Sequence, residues 1–214
     1  GGDPEPPQDG KTRLYIHVPP NSEPNRPPAR NQVPLYIQQT VSRGVTIDWG
    51  DGSELETLEG TGKVNTTHTY QEGGDFVIAL EVAEGCELGL GHGSSSYCVM
   101  GSTLSKNRVY CNMLQKVIIG NSVTSVGTYA FNSCYSIETV TMPDSVTNIG
   151  NNAFYYCYSF VLLFIEKSTR KGIPAFDAFI HMTKVYSAEA RFWTSWARKN
   201  RYRASMFVKS IFNA

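Results

Sequence analysis

No stretch of this 214-residue chain is apolar for long enough to cross a bilayer as a helix; the run SFVLLFI falls far short of the roughly 20 residues a span needs. Net charge is missing as well. Nineteen Lys and Arg balance nineteen Asp and Glu, which removes any bulk attraction to nucleic acid. The charge is unevenly placed, with acidic residues in excess up to residue 165 and basic ones from 166 onward. The basic end, including Arg198, Lys199, Arg201, Arg203 and Lys209, could touch nucleic acid, acidic lipid or polysaccharide, or simply solvate the chain end. Catalytic signatures are absent too: there is no G-x-S-x-G elbow, phosphate loop, dinucleotide fingerprint or H-E-x-x-H helix. Glycoside hydrolysis needs two carboxylates facing each other across a cleft. Between residues 107 and 166 the repeats offer only Glu138, Asp144 and Glu166, and Glu138 and Asp144 are not repeated at equivalent positions. A carbohydrate-active enzyme is therefore the least supported function; no enzyme activity and no cofactor are expected.

What the chain does have divides it in two. Residues 1–10, GGDPEPPQDG, read as a flexible leader, since such a segment cannot build a core. From residue 11 to 83 the pattern is all strand. TRLYIHV, VPLYIQQTV and GVTIDW are β-rich runs, and DFVIALEV alternates. The proline-rich PPNSEPNRPPARNQ between the first two is a long connection. Sheets with one apolar face must cover it, so a β-sandwich is the economical solution.

Within that region Trp49-Gly50-Asp51-Gly52 supplies a tight turn and His68-Thr69-Tyr70 follows. The pair resembles the signature of PKD-like domains, which are immunoglobulin-like sandwiches. The resemblance implies a buried Trp49, structural roles for Asp51, Gly52, His68 and Tyr70, and a spacer or adhesion module. Asp48 and Asp51 are weak calcium candidates, because a hard cation wants more oxygens than this turn provides. The simpler expectation is that both accept hydrogen bonds from turn amides and that no metal is bound.

Residues 84–214 carry a 23-residue echo. GNSVTSVGTYAFNSCYSIETV is followed by PDSVTNIGNNAFYYCYSFVLL, with Cys111, Cys134 and Cys157 at that interval. Such a period marks a solenoid whose units must stack to close a core. Val117 with Ile119, and Val140 with Met142, are expected in short ladder strands; Val123 with Val126, and Val146 with Ile149, in a second inward row. Phe131 and Phe154 should pack in the next bend. A damaged third copy, GIPAFDAF, places Phe176 as their counterpart and Phe179 where the cysteine stood. After it, residues 188–197 read as a capping helix with Phe192 and Trp196 on one face.

SVTSVGTYAFNSC and SVTNIGNNAFYYC resemble the BspA-like leucine-rich repeats of bacterial surface proteins, especially those of Bacteroides and its relatives. The resemblance implies an exported, cell-surface or outer-membrane-anchored protein, often a lipoprotein, with membrane contact only through an N-terminal lipid anchor already removed. It also implies a monomeric recognition or adhesion protein for a host or neighbouring-cell glycan or matrix protein, without nucleic acid as a partner. A structural spacer without a ligand of its own is the competing class.

Two residue types carry the remaining alternatives. Evenly spaced cysteines are unlike the close pairs of a zinc site, and Cys134 and Cys157 are expected as buried apolar filler. A disulfide within the column, or between Cys86 and Cys98, stays open. Tyrosine is abundant at twelve. Tyr129, Tyr135, Tyr155, Tyr156 and Tyr158 flank the bends outside the inward frame. They form either an aromatic ladder that stiffens the solenoid or a recognition surface, since tyrosine combines rigid apolar area with a hydroxyl.

Overall fold

Alternation of apolar and polar residues makes the first strands. In the computed structural model, β1 (Thr12–Val18) buries Leu14, Ile16 and Val18 on one side and turns Arg13, Tyr15 and His17 to the other. β2 (Gln32–Gln39) buries Val33, Leu35 and Ile37 in the same way, and β3 (Val45–Asp48) buries Val45 and Ile47. After the two-residue β4 (Glu56–Thr57) come β5 (Gly62–Thr69) and β6 (Gly74–Val82), the latter burying Ile78 and Leu80. Each fully buried aliphatic side chain contributes about 1.5–3 kcal/mol relative to exposure. The structure describes residues 9–20, 30–104, 108–143, 145–157 and 159, with the backbone of 162–165.

Strand β5, GKVNTTHT, has a single aliphatic residue and no apolar alternation, so the sequence gives little sign of it. It forms because it pairs along its whole length with β2, from Gln32↔Thr69 to Gln39↔Gly62. Ladder hydrogen bonds, more than burial, hold this edge. Gln39 fixes the neighbouring loop: its buried amide donates to the carbonyls of Leu58 at 2.8 Å and Gly60 at 2.7 Å, and accepts from Val45 N at 3.1 Å. A buried amide with this many partners incurs little desolvation penalty.

The second half adds β7 (Leu88–Leu90), β8 (Tyr97–Cys98), β9 (Gly101–Ser102), the short helix α1 (Arg108–Cys111), β10 (Leu114–Ile118), β11 (Ser125–Val126), β12 (Thr139–Met142), β13 (Asn148–Ile149) and β14 (Leu162–Ile165). Its ladder is parallel and runs at the repeat period: Lys116↔Thr139, Ser125↔Asn148 and Thr139↔Leu162 are partners in register. The inward rows lie where the repeat frame expects them, with Val117, Ile119, Val123, Val126, Val140, Met142, Val146 and Ile149 all buried.

The two halves share a sheet. β1 pairs antiparallel with β6 on one side and with β10, the first ladder strand, on the other, giving the order β14-β12-β10-β1-β6-β3-β4. β7, beyond residue 83, pairs with β2 in a second sheet of order β5-β2-β7. The junction is close. A Cβ on Gly120 would lie 2.1 Å from the Gly10 carbonyl oxygen, and Gly120 N donates to the buried Thr12 hydroxyl at 2.9 Å. Further along, Val99 N donates to Ala130 O at 2.8 Å, a bond of the kind that Phe131 N makes to Ala153 O one coil later. One contiguous apolar cluster includes Leu14, Trp49, Leu90, Val99, Phe131 and Phe154.

Among the described residues α1 is the only helix. The capping helix expected at 188–197 and the third copy with Phe176 and Phe179 lie outside the described residues.

Candidate functional site

The repeat bends are built by close backbone approach. A Cβ on Gly150 would meet Thr128 N at 2.3 Å, so successive coils touch there without side chains. Coil-to-coil hydrogen bonds follow: Tyr129 N to Asn151 O at 3.2 Å, Phe131 N to Ala153 O at 2.7 Å and Ser133 N to Tyr155 O at 2.8 Å. Inside the bend Phe131 and Phe154 stack with ring centroids 5.1 Å apart.

Four bend residues have left-handed backbone, and they too obey the period. Tyr129 (φ 58) matches Asn152 (φ 56), and Ser133 (φ 63) matches Tyr156 (φ 61). This conformation costs an L-residue roughly 1–2 kcal/mol, and short polar side chains tolerate it best. Asn152 therefore suits its bend, whereas tyrosine at 129 and 156 is not a choice the backbone dictates.

The tyrosines that the sequence singles out around these bends are half-buried and engaged. The Tyr129 hydroxyl accepts from Asn152 Nδ2 at 3.0 Å. Arg108 Nη1 donates to the Tyr135 hydroxyl at 2.9 Å, with the guanidinium carbon 5.9 Å from the ring centre. The Tyr155 hydroxyl donates to that of Tyr156 at 3.1 Å, and their ring centroids are 3.9 Å apart. Tyr158 lies outside the described residues. Arg108 had no signal in the sequence, since its counterparts in the 23-residue frame are Phe131 and Phe154 and no charge recurs there.

Behind the bends stand the cysteines. Cys111 and Cys134 are wholly buried, and Cys157, partly exposed, donates to Phe131 O at 3.1 Å. Burial pushes the Cys157 thiol well above its ordinary range. Cys98, which is outside the 23-residue frame, brings its sulfur to 3.3 Å from that of Cys111. Cys86 sits elsewhere, against Gly44, so the Cys86–Cys98 pairing raised by the sequence is replaced by a Cys98–Cys111 contact.

The turn in the first half is self-contained. Trp49 is buried, its Nε1 donates to Glu56 Oε2 at 2.9 Å, and the His68 ring stacks on it at 4.7 Å. The Tyr70 hydroxyl donates to Trp49 O at 2.8 Å, and burial pushes that phenol up. His68 Nε2 meets Asp51 Oδ2 at 2.7 Å. Burial works to raise the Asp51 carboxyl, but hydrogen bonds from Ser53 and His68 outweigh it and hold the group at about 2. Asp48 accepts from Gly50 N at 2.9 Å and Asp51 from Ser53 N at 3.1 Å, which occupies both carboxylates within the turn. Gly52 takes a positive φ of 81° that other residues resist. Among the described residues no group of three or more His, Cys, Asp or Glu is placed to hold a metal ion.

A second aromatic group was not foreseen. Tyr36 stacks on Tyr97 at 5.3 Å and meets His92 edge-on at 4.7 Å. Tyr36 could have been found as an outward residue of an alternating strand, but Tyr97 lies in a glycine- and serine-rich segment without a period.

Residues 102–189 match the BspA type leucine rich repeat region, in six copies. No curated protein and no solved structure matches the chain. The protein thus contains a BspA-type repeat region on a largely β-sheet architecture.

Proposed function

We propose that this protein is a cell-surface recognition or adhesion module that binds a glycan or protein through the tyrosine-bearing bends of its repeats. The observation that carries the reading is tyrosine at left-handed positions 129 and 156, where the matching positions hold Asn152 and Ser133. A residue kept where the backbone disfavours it has its reason in the side chain. Paired rings such as Tyr155 and Tyr156 present rigid apolar area with hydroxyls, the combination that suits sugar faces and protein anchors. Surface association is typical of BspA-like repeats and supports an exported location. On this reading residues 11–83 are a PKD-like sandwich and residues 84–214 a repeat module, two sequence units joined through one sheet.

A matrix-protein and glycan array, comparing the wild type with a Tyr155→Ala/Tyr156→Ala variant of unchanged circular dichroism, tests the proposal. Binding that falls at least tenfold in the variant supports it, and salt should weaken binding only modestly because ring area, not charge, provides the contact. Full retention of affinity removes this surface from consideration. The spacer reading has its own support in the inward use of hydroxyls, with Tyr129 on Asn152 and Tyr135 on Arg108. An array without any ligand favours it.

A further inference from the structure

We propose that Cys98 and Cys111 are an intrachain disulfide site that closes when the chain folds in contact with a disulfide oxidant. Three features point to this pair. The sulfurs are 3.3 Å apart, so roughly 1.2 Å of closure reaches the bonded distance of about 2.05 Å. Both residues are fully buried, which keeps a formed bond away from reductants. Cys98 also lies outside the repeat frame. Cys157 donates to a backbone oxygen, Phe131 O at 3.1 Å, and Cys134 is shared between Asn132 O at 4.0 Å and the thiols of Cys111 and Cys98, whereas the Cys98 sulfur lies 3.3 Å from the first member of the column.

The contact joins the β8–β9 hairpin to α1. Cys98 ends β8, which pairs with β9, and Cys111 ends α1, where its sulfur also faces Ser102 O at 3.8 Å. They lie thirteen positions apart in the chain, a loop long enough for a crosslink to restrict the unfolded state appreciably. In the folded chain hydrogen bonds from Cys134 and Cys98 hold the Cys111 thiol below the ordinary range, with Arg108 nearby, while burial pushes the Cys98 thiol up.

The steps balance as thiol–disulfide exchange. Cys111 thiolate attacks one sulfur of the oxidant disulfide, forming a mixed disulfide and releasing one oxidant thiolate. Cys98 then gives up its proton and attacks the Cys111 sulfur, expelling the second thiolate. Two protein thiols are oxidised and one disulfide is reduced to two thiols. Because both sulfurs are buried in the folded chain, the exchange takes place before the β8–β9 hairpin closes over Cys111.

The test supplies its own oxidant and is independent of where the protein resides. The full chain is refolded from the reduced, denatured state with oxidised and reduced glutathione, then alkylated in denaturant and weighed. Three alkylated cysteines out of five are expected, with a linked peptide joining Cys98 to Cys111. Trypsin separates the two by cutting after Lys106 and Arg108, and fragmentation distinguishes Cys98 from Cys86. Reduction of the refolded wild type should lower its thermal midpoint by roughly 5–10 °C, while a Cys98→Ser variant should be insensitive to reductant. Five alkylated thiols, a stable glutathione adduct, or a link from Cys111 to Cys134 overturns the proposal. Peptide mapping of the wild type decides the matter even if the variant fails to fold.

Discussion

The two halves of this molecule reach a buried core by different means. In the first, antiparallel strands bring together residues far apart in sequence, and a few side chains with dissimilar roles do the fixing: Trp49, His68, Tyr70, Asp51 and Gln39 each make a bond that no other position repeats. In the second, parallel strands stack at a constant offset, and the same small set of contacts recurs coil after coil, from Lys116↔Thr139 to Thr139↔Leu162. Stability in the first half is therefore concentrated, and in the second it is distributed among neighbouring units. Strand β1 belongs to both regimes, with β6 on one edge and β10 on the other.

Concentration can be tested by removing its centre. Trp49→Ala should cost about 3–5 kcal/mol, as large aromatic truncations in cores do, measured by urea denaturation of the full chain. A loss under about 1 kcal/mol would show that the turn and its stacked His68 hold without the indole.

The junction comes next. Gly120→Ala places a Cβ against the Gly10 carbonyl, a backbone group that cannot swing aside, and should cost about 1–3 kcal/mol. Gly52→Ala is the useful contrast, because nothing lies within 4 Å and the cost there is only that of the positive φ, about 1 kcal/mol. Equal and small effects at both sites would mean that β1 and the first repeat coil separate easily.

A smaller effect separates the halves by pH. The folded Asp51 carboxyl lies at about 2, below its usual value of about 3.9 in an unfolded chain. Its contribution is then fully present above about pH 4 and is lost as pH falls toward 2. The thermal midpoint of Asp51→Asn should fall less steeply than that of the wild type over that window. Parallel curves would remove the Asp51–His68 pair from the account.

The sequence discloses the two halves unequally, for physical reasons. Strands β1, β2, β3 and β6 are legible because half-buried strands alternate, whereas β5 is not, since an edge strand held by ladder bonds needs no apolar face. Which strands pair is invisible in the first half, where antiparallel partners follow no interval. In the repeats the interval is itself the register, so Val117, Val140, Phe131 and Phe154 are placed by counting. The joining of β1 to β10 could not be counted, because it lies where the period begins. The candidate site is legible to a similar extent. The tyrosines stand out as residues outside the inward frame, but their engagement with Arg108 and Asn152, and the left-handed backbone at 129 and 156, arise from folding. Cys98 falls outside the frame and its neighbour emerges only in three dimensions.

The claim that one sheet makes both halves a single cooperative unit has a direct measurement. In a Trp193→Phe/Trp196→Phe background, Trp49 fluorescence reports the first half, and the rate of thiol labelling at Cys134, with the other cysteines changed to serine or alanine, reports the second. Both are followed through one urea titration of the reduced full chain. Shared pairing through β1 predicts coincident midpoints for the two probes, whereas a repeat region that stays closed at Cys134 after Trp49 has become exposed, or the reverse, would contradict it.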